Sequence, residues 1–229
     1  MRIFAISDLH LSVNNPKPMN IFGPVWDNYL DAITSDWKEK VSGDDIVLIA
    51  GDISWAMYLE NAKPDLDFIG ALPGKKIILR GNHDYWWKSI SSVRDILPQG
   101  MYALQNDALR LGDVVFCGSR GWTVPEGKAQ SEADKKIYDR EIIRMGLSLD
   151  DAQKKKQAGD KLVAMIHYPP FNSRFESSPF TELFEKCGVD RVVYGHLHGY
   201  SKGEKKICRN GIDYYLTSCD MIGNRLVEI

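Results

Sequence analysis

The sequence predicts an α/β protein in which two β-sheets pack together and carry helices on their outer faces. Apolar β-like runs alternate with helical patterns over the first hundred residues, and short strands joined by tight turns follow. Several predicted strands end in Asp, Asn or His, which are residues that bind ligands. A chain of 229 residues with 44% hydrophobic content can bury a sizeable core, so we expect one domain over residues 1–229.

The first part of the chain alternates strand and helix three times. Apolar runs that end in turn residues predict the strands, and Pro or Ser at a helix start, with Pro or Gly after its end, delimits the helices. The predicted strands cover 2–7, 45–50 and 75–79, and the predicted helices cover about 24–41, 57–72 and 89–97.

The second part changes character, because the loops between its first strands are very short. Strands are predicted at 101–104, 108–111 and 114–119, and such tight connections favour antiparallel pairing. A charged helix is expected at about 131–156, followed by a strand at 161–166, a helix at 179–186 and a strand at 191–194. The remainder predicts a β-meander of three strands at 205–209, 212–217 and 225–229.

Metal-binding residue types gather at the strand ends. All five histidines of the chain lie at or just after predicted strands, together with two aspartates and an asparagine. The set comprises Asp8, His10, Asp52, Asn82, His83, His167, His196 and His198. It holds nitrogen and oxygen donors and no thiol, which favours divalent manganese, iron or zinc.

The number of donors predicts two metal ions. Seven donors besides His83 are too many for one ion, but they suit two ions about 3.5–4 Å apart if one carboxylate bridges them. Residues two apart in an extended strand point the same way, so Asp8 and His10 are expected to share an ion. The same spacing allows His196 and His198 each to reach a different ion.

Composition excludes some functions and leaves others open. The net charge of −2 provides no global basic field, so nucleic acid is not favoured as a partner, although a local patch would permit it. No run approaches the roughly 18 apolar residues of a membrane span, so we expect no membrane partner and a cytoplasmic location. The four cysteines form no C-x-x-C pair and are expected to be free thiols. The sequence does not indicate the oligomeric state.

Five sequence blocks, in this order, resemble the calcineurin-like metallophosphoesterase superfamily. They are Asp8-x-His10, Gly51-Asp52, Gly81-Asn82-His83-Asp84, His167 and Gly195-His196-x-His198. The resemblance covers residues 8 to 198 and implies a four-layer α-β-β-α sandwich, that is, two mixed β-sheets flanked by helices. It also implies a dinuclear centre that hydrolyses phosphate monoesters or diesters.

The resemblance further implies a role for each donor. The first ion would be held by Asp8, His10, Asp52 and His198, and the second by Asp52, Asn82, His167 and His196, with Asp52 as the bridge. His83 would bind no metal. Trp55, three residues after Asp52, departs from the polar residue that many members carry there.

The expected reaction is hydrolysis of a phosphate ester, the substrate, by a hydroxide that bridges the two ions. Metal coordination lowers the pKa of a bound water from ~15.7 towards ~7, which makes the nucleophile available. His83 would protonate the leaving oxygen or bind a phosphoryl oxygen, and Asp84 would orient its imidazole. A phosphodiesterase is favoured, with a phosphomonoesterase of proteins or metabolites and a nuclease as alternatives.

Each residue also has a structural explanation. A lone aspartate after a strand is more often a helix cap, Asn82 would suit a turn, and His167 alone would suit a core. Packing is favoured over base stacking for Trp55, Trp86, Trp87 and Trp122, and a surface position over phosphate binding for Arg120 and Arg174. A non-catalytic binding scaffold is the remaining alternative, but such relatives lack metal ligands, and here none is missing.

Overall fold

A computed structural model describes residues 1–127, 131–199 and 204–229 of the chain, and these form two mixed sheets with helices. The first six strands are β1 Ile3–Ile6, β2 Ile46–Ile49, β3 Lys75–Leu79, β4 Met101–Leu104, β5 Ala108–Leu111 and β6 Val114–Ser119. The others are β7 Lys161–Ile166, β8 Arg191–Tyr194, β9 Lys206–Arg209, β10 Ile212–Leu216 and β11 Val227–Glu228. The α-helices are α1 Tyr29–Lys40, α2 Leu59–Gly70, α3 Ile90–Ile96, α4 Glu132–Lys155 and α5 Pro179–Lys186.

Sheet 1 contains the first four strands and the last one, and sheet 2 contains the other six. Sheet 1 has the order β11-β1-β2-β3-β4, with β1 to β4 parallel and β11 antiparallel to β1. Sheet 2 has the order β5-β6-β7-β8-β10-β9, with four parallel central strands and antiparallel edges. Parallel strands buried on both faces require apolar residues at successive positions, which explains the continuous apolar runs.

Alternation along β1 shows how the layers form. Ile3 and Ala5 belong to a buried cluster between the two sheets, whereas Phe4 and Ile6 belong to a cluster that also contains α1, α2 and α3. A third cluster joins the outer face of sheet 2 to α4 and α5. The layers are therefore helix, sheet, sheet and helix, and the predicted four-layer sandwich is confirmed.

Several helix starts are explained by capping side chains. Ser131 accepts a hydrogen bond from the backbone N–H of Asp134 at 3.0 Å, and α4 begins directly after it. Ser178 and Thr181 form a capping box at the start of α5. None of the helices in the described ranges combines the length and the apolar character needed to span a bilayer.

Three details of the sequence prediction were wrong. β4 does not pair with β5, because the chain crosses between the sheets there and β4 lies parallel to β3. β11 likewise leaves the meander and pairs with β1 in sheet 1. The first helix does not begin at Pro24, since Asn28 has a φ of 51° and separates a short 3-10 helix, Pro24–Trp26, from α1.

The carboxyl ends of β1 and β10 bring the two sheets together. The N–H of Ser7 donates to the carbonyl of Thr217 at 2.8 Å, and the N–H of Cys219 donates to the carbonyl of Ser7 at 3.0 Å. On the other side of β1, the N–H of Asp8 donates to the carbonyl of Gly51 at 2.9 Å. The loops after these strands therefore lie side by side, and the candidate donors lie in them.

Candidate metal centre

The predicted donors form one continuous cluster. Donor atoms of Asp8, His10 and His198 lie within 4.8 Å of one another, and so do donor atoms of Asp8, Asp52 and His167. The amide oxygen of Asn82 lies 2.7 Å from Nε2 of His167 and 2.8 Å from Nδ1 of His196. All seven side chains predicted to bind metal therefore meet at the junction of the two sheets.

Asp52 lies between the two halves of the cluster. Its Oδ2 is 3.5 Å from Nε2 of His167 and 4.0 Å from Nε2 of His10, while its Oδ1 accepts a hydrogen bond from the backbone N–H of His83 at 2.7 Å. The carboxylate is 1% exposed. Asp52 is therefore within reach of histidines from both groups, which is the position that a bridging ligand needs.

The backbone at the donors is not extended, so one premise of the sequence argument was wrong. Asp8, His10, Asp52 and His196 have φ values of 58°, 47°, 52° and 71°. Left-handed backbone is uncommon outside glycine and is found at functional sites, where the surroundings hold it in place. Asp8 and His10 share a group because the loop turns, and not because they alternate along a strand.

Two motif glycines allow the loops to approach so closely. A Cβ at Gly81 would overlap the carboxylate and backbone nitrogen of Asp52, and a Cβ at Gly195 would overlap the carboxylate of Asp8. Neither glycine has a positive φ. These two glycines are therefore required for space, since any larger residue would displace a donor.

Hydrogen bonds fix the orientation of two of the histidines. Nδ1 of His167 donates to the carbonyl of Ala50 at 2.9 Å, which directs Nε2 towards Asp52 and Asn82. Nδ1 of His198 donates to Asp220 at 2.9 Å, which directs Nε2 towards Asp8 at 3.4 Å. A carboxylate or carbonyl on the far nitrogen of a metal-binding histidine is the usual arrangement in proteins.

The two carboxylates remain ionised despite their burial. Burial alone would raise the pKa of Asp8, but the hydrogen bond with His198 and the charge of His167 hold it well below its usual range. Burial also opposes ionisation of Asp52, yet the charge of His167 and its hydrogen bond lower the pKa of this group. Two buried anions side by side favour a cation between them.

Each half of the cluster contains one histidine whose pKa is raised and one whose pKa is lowered. Burial lowers the pKa of His10 and of His196 to about 4. Burial would also lower the pKa values of His167 and His198, but neighbouring carboxylates outweigh it. The charge of Asp52 raises the pKa of His167 to about 9. Asp220 and Asp8 raise the pKa of His198 to about 10. At neutral pH the metal-free protein therefore carries one protonated histidine in each half.

The side chains present fit divalent metal ions. The cluster holds imidazole, carboxylate and amide donors in the mixture that manganese, iron and zinc accept. Nδ1 of His10 is buried without a hydrogen-bond partner in the part of the chain that the structure describes. The nitrogen of this ring that faces the other donors is Nε2, which lies 4.0 Å from Oδ2 of Asp52 and is therefore the one offered to an ion.

His83 lies beside the donors at the surface of the cluster. It is half-buried, and its ring lies 5.6 Å from the ring of His10 and 4.9 Å from that of Trp55. Among the described residues its imidazole has no hydrogen-bond partner. The ring is therefore available to a substrate.

Asp84 does not orient His83, which corrects the sequence expectation. Its fully buried carboxylate accepts hydrogen bonds from the backbone N–H groups of Gly81, Ile53 and Ser54 and from the indole of Trp86. Burial and the charge of Asp52 raise the pKa of Asp84 to about 6. Its described contacts hold the loops after β2 and β3 in position, so Asp84 stabilises the loops that carry predicted donors.

The tryptophans and arginines differ in their surroundings. Trp86 and Trp87 are buried core residues, whereas Trp55 is half-buried and stacks on His10 at 4.7 Å. Trp122 lies under the guanidinium of Arg120, which also pairs with Glu141 at 3.5 Å. Arg174 pairs with Glu176 at the surface. Of these residues, Trp55 is the one in ring contact with a predicted ligand.

Sequence reasoning missed Asp220. This residue follows Cys219 after β10, and β10 lies parallel to β8, so it ends at the same edge as the histidines after β8. Its second oxygen accepts the backbone N–H of Gly199 at 3.0 Å. A carboxylate just after a predicted strand was the available signal, but parallel pairing of that strand was not predicted.

A family model of calcineurin-like phosphoesterases matches residues 1–200. The chain belongs to this family. The family implies a metal-dependent phosphoesterase, and the donor clusters described above agree with that class. A search among curated proteins found no significant match.

Solved structures share the fold at low sequence identity. A protein from Thermus thermophilus has a TM-score of 0.63 at 13% identity, covering 100% of this chain and 98% of its own. The phosphopantetheinyl hydrolase of Mycobacterium tuberculosis has a TM-score of 0.59 at 14% identity, with 100% and 95% covered. A protein of unknown function from Aquifex aeolicus has a TM-score of 0.53 at 17% identity, with 99% and 95% covered.

We expect metal affinity to rise with pH between about 6 and 9, because an ion must displace the protons of His167 and His198. Each displaced proton weakens the apparent affinity up to about tenfold per pH unit below the pKa of its histidine. The protein is first freed of metal with a chelator. Calorimetric titration with Mn²⁺ in buffers of different ionisation enthalpy then measures both the affinity and the number of protons released. Binding with no proton release at pH 7 would contradict this account.

Asp220→Asn should weaken metal binding about 10–100-fold, because it removes the charge that holds and polarises His198. Equilibrium dialysis against Mn²⁺ measures the change. Asp213→Asn is the matched control, since Asp213 lies on the preceding strand and pairs with Lys206 at 2.8 Å instead of with a donor. Equal affinities in the two variants would show that Asp220 does not act on the cluster.

Proposed function

We propose that this chain is a dinuclear phosphodiesterase in which Asp52 bridges two divalent ions. The first ion is assigned to Asp8, His10, Asp52 and His198, and the second to Asp52, Asn82, His167 and His196. The observation that supports this assignment most strongly is the position of Asp52, whose Oδ2 lies within 4.0 Å of a histidine from each group. Manganese, iron and zinc all suit these donors.

The ions, when bound, supply a nucleophilic water at neutral pH and positive charge for the phosphoryl oxygens. The chain's own residues contribute position and proton transfer. His83 has a ring without a described partner beside His10, and an imidazole can transfer a proton to a leaving oxygen. We therefore assign His83 to the leaving oxygen, and we assign Asp84 to holding the loop that carries Asn82 and His83.

Two recesses beside the cluster favour a diester over a monoester. One, of about 390 Å³, has Trp55 in its wall, and Trp55 stacks on His10. The other, of about 420 Å³, is lined in part by His196 and by Tyr168, whose ring lies 4.1 Å from that of His196. A monoester carries one organic group and would use one recess, whereas a diester would use both.

The alternatives have less support. A phosphomonoesterase would leave one recess without a function, and a nuclease would favour a basic groove that the net charge of −2 does not provide. A binding scaffold would not need a complete donor set. The Mycobacterium tuberculosis neighbour is named a phosphopantetheinyl hydrolase, so a pantetheine phosphodiester belongs among the substrates to be tested.

The proposal is tested by assaying the purified protein with phosphate monoesters and diesters, after chelation and addition of Mn²⁺, Fe²⁺ or Zn²⁺ in turn. We expect metal-dependent hydrolysis, with a higher kcat/KM for diesters. Asp52→Asn should lose metal and activity together, because a neutral side chain cannot hold two cations at their working separation. Retained turnover in Asp52→Asn would show that the bridge lies elsewhere, and a preference for monoesters would refute the diester assignment.

His83→Ala should lower kcat about 10²–10⁴-fold while metal content stays unchanged, because His83 acts on the transition state and not on the ions. If His83 protonates the leaving oxygen, the loss should be much smaller for nitrophenyl esters, whose leaving group departs readily as an anion, than for alkyl esters. Equal losses would assign His83 to the phosphoryl oxygens instead. Loss of one ion in this variant would make His83 a ligand.

A further inference from the structure

The recess beside His196 differs in chemistry from the one beside Trp55. Seven of the eleven residues that line the Trp55 recess have polar or charged side chains, among them Asn14, Lys17 and Glu60, and the others, such as Trp55 and Met57, are apolar or aromatic; we call it the polar recess. The other is lined mostly by apolar side chains, among them Val124, Phe171, Phe175, Tyr194 and Leu216. We call the second recess the apolar cavity. Its volume of about 420 Å³ lies in the range of small-molecule sites, roughly 300–1,000 Å³.

Phe175 at the edge of this cavity is unusual in two respects. It is 48% exposed, and its φ is 55°, a left-handed conformation that is strained for a bulky residue. Its carbonyl accepts a hydrogen bond from Arg209, and its ring lies 5.2 Å from that of Phe171. An exposed aromatic ring held in strained backbone at the edge of an apolar cavity is suited to contact a ligand.

The cavity adjoins the predicted metal centre through His196. His196 lines the cavity, and Nδ1 of the same ring lies 2.8 Å from the amide oxygen of Asn82. A phosphoryl group held at the donors would therefore have one ester oxygen directed past His196 and Tyr168. The organic group on that oxygen would enter the apolar cavity.

The position of His83 indicates which of the two ester bonds of a diester is broken. His83 lies 4.9 Å from Trp55, on the side of the polar recess, whereas the apolar cavity lies on the side of His196. If His83 protonates the leaving oxygen, the departing alcohol occupies the polar recess. The other ester bond then lies on the cavity side and is not broken.

We propose that the apolar cavity binds an apolar organic group of the substrate, and that this group remains esterified to phosphate after hydrolysis. This inference rests on the proposed diesterase function. Water supplies the new oxygen on phosphorus, the bond to the alcohol in the polar recess breaks, and a proton passes to that alcohol. The product is a phosphate monoester whose apolar group is still in the cavity.

The first test varies the retained group while the leaving group stays constant. Nitrophenyl phosphodiesters with a methyl or a 2-phenylethyl second group release the same nitrophenolate. Burial of a phenyl ring in the cavity should raise kcat/KM about tenfold or more for the 2-phenylethyl ester. Equal kcat/KM values for the two esters would overturn the inference while leaving the proposed function intact.

The second test removes the ring of Phe175. Asparagine tolerates left-handed backbone, and position 175 is exposed, so Phe175→Asn should fold. We expect it to reduce the preference for the 2-phenylethyl ester several-fold. Ile143→Gln is the control, because Ile143 is 64% exposed on α4 and does not line the cavity, so it should keep the full preference. An unchanged preference in Phe175→Asn would refute the role of Phe175.

A binding measurement separates this inference from the proposed function. Calorimetry of the metal-loaded protein with 2-phenylethyl phosphate and with methyl phosphate should show about tenfold tighter binding of the first, and Phe175→Asn should reduce the difference. If the protein hydrolysed no ester but kept this binding preference, the proposed function would fail and the cavity assignment would stand. Equal affinities would overturn the cavity assignment.

Discussion

The contact on which the site depends most is the one that His167 makes across the two sheets. His167 follows β7 of sheet 2, yet its ring nitrogens contact the carbonyl of Ala50 and the amide of Asn82, which lie in the loops after β2 and β3 of sheet 1. The side chain is fully buried, so water does not compete for these bonds. A small shift of one sheet against the other would separate the donors. Close packing between the two sheets is therefore needed to keep the donors together.

Most of the fold could be predicted from local patterns. Apolar runs set β3, β6, β7 and β8 to the residue, because strands buried on both faces leave little ambiguity in the sequence. The pairing of β4 and β11 could not be predicted in the same way. β4 stays with β3 in sheet 1 while the chain crosses to sheet 2 at β5, and β11 leaves β10 to pair with β1 in sheet 1; these choices depend on long-range packing and not on turn length.

The candidate site was predictable because its residue types are rare and stand at strand ends. All seven predicted donors lie together, and the spacing of the motifs sufficed to name them. The hydrogen-bond partners behind the donors were not predictable. Asp84 turned out to bind backbone N–H groups and Trp86, and Asp220 to bind His198, because such contacts depend on how loops from different strands approach each other.

The left-handed backbone at four of the donors has a consequence for how this protein tolerates change. Glycine would adopt these φ values with less strain, and it would also remove a buried charge or a buried imidazole from a crowded junction. Replacement by glycine would therefore relieve backbone strain at Asp8, His10, Asp52 and His196 but delete a predicted ligand each time, and at Asp8 and Asp52 it would also leave a protonated histidine without its carboxylate. Backbone strain and predicted metal binding are therefore coupled at these four positions, because the residue that would relieve the strain carries no donor atom.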